Sequence, residues 1–239
     1  MSILKKESLK KYLAELENLR NSVKAKVLAG FFKTGKGEYG EGDVFWGISV
    51  PEQRIVARKY ADKLDFADLK YLLKQPVHEL RFSALVILVL KYQKNEKESE
   101  KEKIVKFYLK NTKYVNNWDL VDLSAPQILG DYFLNKNKNS LFILVNSQNF
   151  WERRIAVVAT YGLIKNNKFN DALKIIELAL FDKQNLIHKV VGWMLREIGK
   201  RDKKIEVDFL DKYAKRMPRT ALRYAIEKFS KEDREKWLG

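Results

Sequence analysis

The chain has 239 residues, with 47 Lys and Arg against 31 Asp and Glu, a formal net charge of +16 and a pI near 9.7. A hydrophobic content of 46% with five Trp is enough to bury a real core, so disorder is not the default. There is no Cys, and only His78 and His188 offer imidazole, which excludes disulfides, iron–sulfur clusters and thiolate or His-rich metal sites. The longest apolar run, Ala84 to Leu90, is too short to span a bilayer. Met1 to Glu7 passes into charged helical sequence without a signal-peptide core, so the expected location is the cytoplasm. The positive excess favours polyanionic partners, nucleic acid first and an anionic membrane surface second.

Taken in order, nearly every segment has a helical period and none alternates as a strand does. Ser8 to Leu19 and Ser22 to Phe32 read as amphipathic helices. The stretch Thr34 to Asp43 then breaks the pattern with a literal G-x-G-x-x-G at Gly35, Gly37 and Gly40. That motif cradles phosphate only between a strand and a helix N-terminus. Here a helix precedes it, and Glu38, Glu41 and Asp43 would repel phosphate, so a flexible loop is expected. Pro51 marks a helix start, with helices at 52–63, 66–74 and 78–92. The mixed run Lys94 to Lys103 reads as solvated helix surface and connection. Further helices fit 101–110, 117–133, 140–145, 150–165, 171–180, 186–200, 207–216 and 219–229, with a short tail to Leu238. Pro126 falls inside one of them and should kink or offset it. The fold class is all-α, in a single domain over 1–239.

The stretch Tyr114 to Pro126 stands out. Asn is a strong N-cap residue, so a helix should begin at Asn116 or Asn117. Trp118 and Asp122 then share a face at i,i+4. Asp119 in the first turn complements the positive helix end. Asp122 lies a turn further in, between Val121 and Leu123; read alone, it is an ordinary acid on the polar face.

Four segments share a phase: Leu80-Arg81-Phe82, Trp118-Asp119-Leu120, Arg153-Arg154-Ile155 and His188-Lys189-Val190. A period of 35–40 residues built of helix pairs is the mark of HEAT-like α-solenoids, which curve and present a concave face. The repeated slot is basic in three copies and Asp119 in the fourth. A row of such cations suits phosphates along a duplex; a solvent-facing slot charged for solubility explains one Arg well but a spaced row less well.

Asn117-Trp118-Asp119-Leu120-Val121-Asp122, Phe150-Trp151-Glu152-Arg153-Arg154-Ile155-Ala156 and Ile187-His188-Lys189-Val190-Val191-Gly192-Trp193-Met194-Leu195-Arg196-Glu197 resemble the AlkD-like DNA alkylation repair family. Gly47-Ile48 with Pro51-Glu52 and Arg54 resembles its N-terminal signature. The resemblance runs from about residue 20 to residue 229, and the long Gly/Glu loop before Phe45 departs from the shortest members.

The resemblance implies a monofunctional alkylpurine DNA glycosylase on a curved HEAT-like solenoid with a basic concave face. It would cut the N-glycosidic bond of cationic N3- or N7-alkylated purines, such as 3-methyladenine and 7-methylguanine, in double-stranded DNA, without a tight base-flipping pocket. By that likeness the catalytic carboxylate is Asp122, Trp118 and Trp193 flank the lesion's sugar, and Arg154 grips a phosphate. Arg153, Lys189, His188 and Arg81 are further candidates for the DNA surface. No metal or organic cofactor, no membrane and a monomer are expected. Taken singly, Trp193 among Val190, Val191, Met194 and Leu195 reads as core, and Arg154 as a surface or capping charge. The rival reading is a non-catalytic nucleic-acid-binding module or protein-interaction scaffold.

Overall fold

The computed structural model describes residues 3–238. Met1 and Ser2, which open the N-terminal stretch read above as leaderless, lie outside the described residues. The chain divides into two compact units, Met1–Ser124 and Ala125–Gly239. Among the described residues there is no strand, only an isolated parallel bridge between Val44 and Val77. No described helix is long and apolar enough to cross a membrane.

The first unit contains α1 (Ile3–Glu17), α2 (Ser22–Phe31), α3 (Val50–Tyr60), α4 (Phe66–Leu73), α5 (His78–Lys94), α6 (Glu98–Lys110) and α7 (Trp118–Ala125), which ends at the boundary. The helices start where local chemistry satisfies their first N–H groups. Asn21 accepts from Lys24 N, and Asp65 from Ala67 N and Asp68 N. Ser49 and Glu52 form a capping box that brackets Pro51. α5 is the hub: it packs on α3, α4 and α6, and nearly all of it from His78 to Val89 is buried. Its apolar run from Ala84 to Leu90 covers every side of the helix, the pattern of a core helix rather than a surface one. α6 begins at Glu98, so the charged run from Lys94 is connection only in its first few residues.

The second unit contains a π-helical turn (Pro126–Gly130), α8 (Asn139–Val145), α9 (Phe150–Lys165), α10 (Phe169–Ala179), α11 (Asn185–Gly199), α12 (Lys203–Tyr213), α13 (Arg219–Ala225) and α14 (Lys231–Leu238). Here α9 packs on α8, α10, α11 and the π turn, while α11 packs on α12 and α13. Short connections between consecutive helices that pack on one another are the arrangement of an α-solenoid repeat. The expected disturbance at Pro126 is a change of hydrogen-bond register: the ring carries no N–H, and the chain continues as a π turn. Gly130 and Gly162 let that turn lie on α9, since a Cβ on Gly162 would sit 2.4 Å from the Gly130 carbonyl carbon.

Candidate nucleic-acid interface and catalytic residues

Asn117 caps α7: its carbonyl accepts from Val121 N at 3.1 Å and its Oδ1 from Trp118 N at 2.8 Å. This cap sets the phase of the helix and places Trp118 and Asp122 one turn apart on one face. Both side chains are half-buried. On the opposite side, Leu120, Val121 and Ser124 are buried. Ser124 Oγ bonds Leu120 O at 2.6 Å and meets the Tyr108 hydroxyl at 3.0 Å. Burial pushes the Tyr108 phenol well above its ordinary range, and the Asp122 charge adds to the shift. Tyr108 is therefore a neutral neighbour of that carboxylate.

The Trp118 ring is fixed by aromatic partners that sequence reading did not assign to it. It stacks on Phe32, centroids 5.2 Å apart and planes 10° from parallel. Phe31 meets it edge-on at 5.9 Å. Phe32 in turn stacks on Phe45, and His78 lies against both, 4.8 Å from Phe32 and 4.7 Å from Phe45. Together these rings form a platform under one face of the indole.

His78 joins this platform to the start of α7. Its Nδ1 lies 3.0 Å from Asp43 Oδ2 and its Nε2 2.8 Å from Asp119 Oδ2. A neutral imidazole has one N–H, so two carboxylate acceptors call for the doubly protonated ring. Burial pulls the His78 pKa down, but the bonds from Asp119 and Asp43 outweigh it, and the pKa is raised. Asp43 is held below the ordinary carboxylate range: burial opposes, while His78, the Arg81 guanidinium and Asn117 prevail. Asp119 does more than the expected service to its own helix, where it accepts from Leu120 N at 2.8 Å. It is also the anchor between α7 and α5.

The neighbouring Glu79 is buried and accepts from Trp46 N, Gly47 N and Ile48 N at 3.0, 2.8 and 3.3 Å. It folds the 44–49 segment against α5. Gly47 has φ +79°, and a Cβ there would sit 2.1 Å from Asn21 O; that backbone needs glycine. Gly47, Ile48 and Glu79 line an apolar cleft of about 290 Å³ with Val23, Val27 and Phe82, and neither Trp118 nor Asp122 is among its lining residues.

The glycine-rich loop is not a phosphate cradle. Glu38 Oε2 accepts from Gly35 N at 2.9 Å and Glu41 Oε2 from Gly37 N at 2.8 Å. The acids thus occupy the N–H groups that a phosphate would need. The loop read as flexible also delivers Asp43 to His78 and Arg81.

The expected row of cations is corrected. Arg81 is 4% exposed; it pairs with Asp43 at 2.6 Å and donates to the carbonyls of Gln75 and Pro76. Arg153 bonds Asp182 through Nε and Nη2 and donates to Ser147 O and Gln148 O. His188 Nε2 bonds Asp182 O. Arg81, Arg153 and His188 are each the fourth residue of α5, α9 and α11, and each bonds a carbonyl six residues upstream. The structural counterpart of Arg81 is therefore Arg153, not Arg154, and Asp119 is the second residue of α7. The reason is that helix starts and these carbonyl contacts set the repeat register, and spacing by eye misses it by one or two positions.

In the second unit, Arg154 on α9 is 5% exposed and donates through Nη1 to Leu186 O at 2.7 Å, which fixes it against the start of α11. Trp193 is half-buried on α11. Its Nε1 points to Glu197 Oε1 at 3.3 Å, and Tyr161 lies 6.2 Å from its ring. Burial raises the Glu197 pKa, but Lys200, Arg201 and the indole N–H lower it further, so the anchor is charged. Lys189 is half-buried. Among the described residues, no cluster of three or more His, Asp and Glu is arranged to hold a metal ion.

The family model for DNA alkylation repair enzymes matches residues 12–229. The chain belongs to the DNA alkylation repair enzyme family. The likeness read from the three central motifs is thereby shown over nearly the whole chain. A solved structure described as a predicted DNA alkylation repair enzyme from Enterococcus faecalis superposes with a TM-score of 0.68 at 19% identity, covering 89% of this chain and 97% of that one. At that identity the likeness speaks for the fold. No curated protein matches the chain. Membership makes DNA the partner and alkylation repair the role of this family member.

Proposed function

We propose that the protein is a DNA glycosylase that releases cationic N3- or N7-alkylated purines from duplex DNA, working as a monomer. The observation that carries this reading is the Trp118–Asp122 pair, one turn apart on a helix whose cap is fixed by Asn117 and whose indole is backed by Phe32. Breaking the N-glycosidic bond builds positive charge on the sugar, an oxocarbenium-like state that a nearby carboxylate stabilises. An indole face attracts the same cation by about 0.5–2 kcal/mol. Since about 1.4 kcal/mol is tenfold in rate, two such rings together supply about tenfold to a thousandfold.

In this reading Asp122 stabilises the cationic sugar and positions water, and Trp118 and Trp193 flank it. Arg154 grips a phosphate, and Lys189 and His188 belong to the surrounding DNA surface. Arg81 and Arg153 are internal pairs that hold their helices. No general acid is evident to protonate a neutral leaving base, which restricts the substrate to purines already charged by alkylation. The test is base release from duplexes carrying 7-methylguanine or uracil, with binding measured against salt. Release of the first and not the second is expected. Release of uracil at a comparable rate refutes the lesion class. Salt-dependent binding without release of either base assigns the protein to the non-catalytic binding modules, and an absence of DNA binding assigns it to the scaffolds.

A further inference from the structure

With Arg81 committed to Asp43, the cations that the first unit offers a DNA backbone have to come from elsewhere. The C-terminal ends of α4 and α6 supply them. Lys70 and Lys74 from the end of α4, Lys110 from the end of α6 and Lys113 from the following turn line one cleft of about 280 Å³, with Phe107 and Tyr114 in its wall. All four lysines are exposed, and no Asp or Glu lines the cleft. Its wall is firm: Phe107 packs on Phe66 at 4.9 Å, Asn111 Nδ2 bonds Phe107 O at 2.7 Å, and Lys113 lies 5.1 Å over the Tyr114 ring.

Lysines at helix C-termini have an ordinary use, since each such end carries about half a negative charge. Two ends therefore neutralise about one of the four ammonium groups, and about three positive charges remain without a counter-ion. Their mutual repulsion disfavours the fold and is relieved by an anion in the cleft. The cleft also leads toward the candidate site. Lys74 and Tyr114 also line a second cleft, together with Arg81, Asn116 and the acids Glu41 and Asp43, of which Asp43 is paired with Arg81, and Tyr114 begins the segment that runs into the Asn117 cap.

We propose that the Lys70–Lys74–Lys110–Lys113 cleft binds consecutive phosphates of the DNA backbone beside the lesion. The identity of the polyanion rests on the function proposed above; the site itself rests on the cleft. Lysine ammoniums act there as point charges, so they take phosphodiesters of any sequence.

The experiment measures binding of a short undamaged duplex by fluorescence anisotropy over a range of salt. It compares wild type, a quadruple Lys70→Ala, Lys74→Ala, Lys110→Ala, Lys113→Ala variant, and a control with Lys63, Lys94, Lys97 and Lys103 changed to Ala. The control residues are not in the cleft lining: Lys63 precedes α4, Lys94 ends α5, Lys97 precedes α6 and Lys103 lies in its first half. Each phosphate contact contributes about 0.9 to the slope of log K against log salt. The quadruple variant should flatten that slope by roughly 2 to 4 units, with the control close to wild type. The pairs Lys70→Gln, Lys74→Gln and Lys110→Gln, Lys113→Gln should each give about half the change, which covers a quadruple variant that folds poorly. A wild-type slope in the cleft variants, or equal flattening in the control, overturns the proposal. So does a variant that loses only binding to phosphatidylserine vesicles. Because binding is measured on undamaged duplex, a wild type that fails to release 7-methylguanine in the separate release assay would refute the glycosylase reading and leave this result standing.

Discussion

The indole of Trp118 lies face to face with Phe32, 5.2 Å away and 10° from parallel. A ring meant to lie beside a cationic sugar must not turn away from it, and the Phe32 stack limits that rotation. An aromatic pair of this kind is worth about 0.5–1.5 kcal/mol beyond the area it buries. Phe32→Leu should therefore slow single-turnover base release by about two- to tenfold, and Phe32→Tyr should keep it. An unchanged rate in the Leu variant would show that the platform does not position Trp118.

His78 gives the first unit a pH-dependent anchor. Its folded-state pKa is raised above the ordinary 6.5, so its contribution is complete below the unfolded value. It is lost as pH rises through the folded value. The groups facing the ring are Asp43 from the loop, Asp119 from α7, and Arg81 from its own helix. Thermal melts of wild type should lose stability as pH climbs above about 6.5, and His78→Gln should flatten that loss. Parallel melting curves for the two proteins across this range would rule the anchor out.

Arg81 is expected to matter for folding and not for DNA. Replacing it with Met leaves Asp43 buried beside His78 and Asn117 without its guanidinium. Breaking a buried ion pair from one side costs about 3–5 kcal/mol. The lower end is expected, because two partners remain. Denaturant unfolding measures that loss. The slope of DNA binding against salt should be that of wild type, and a flatter slope would return Arg81 to the DNA surface.

Glu206 is buried in α12 near Arg196 and Lys203, and burial pushes its pKa up to about 8 despite both cations. A carboxyl that holds its proton more tightly when folded costs stability as pH rises from about 4.5 through 8. Glu206→Gln removes the titration. The variant should melt close to wild type near pH 5 and above it at pH 9, by up to about 4 kcal/mol at roughly 1.4 kcal/mol per pKa unit. An equal difference at both pH values would contradict the shift.

Much of this architecture is written in local pattern. The helical period places nearly every helix, Asn117 announces the start of α7, and Trp118 and Asp122 follow from that start by counting 3.6 residues per turn. The repeat period is also visible, but its register is not. Arg81, Arg153 and His188 are brought into equivalence by bonds to upstream carbonyls, which leave no mark on the hydrophobic pattern. The network behind Trp118 was hidden for another reason. Phe32 ends one helix, Asp43 ends a Gly/Glu loop, and both meet α7 across long sequence separations. A faint signal existed: His78, Glu79 and Arg81 open a helix that is apolar from Ala84 to Leu90, and ionisable residues entering a core need partners.

The central claim is that Asp122 stabilises the cationic sugar, and single-turnover release of 7-methylguanine by Asp122→Asn tests it most directly. The amide keeps the shape and removes the charge. The account predicts wild-type affinity for the lesion duplex with base release slowed by about a hundredfold or more, the loss of roughly 2.7 kcal/mol or more of transition-state stabilisation. Release at the wild-type rate, with binding unchanged, would contradict it.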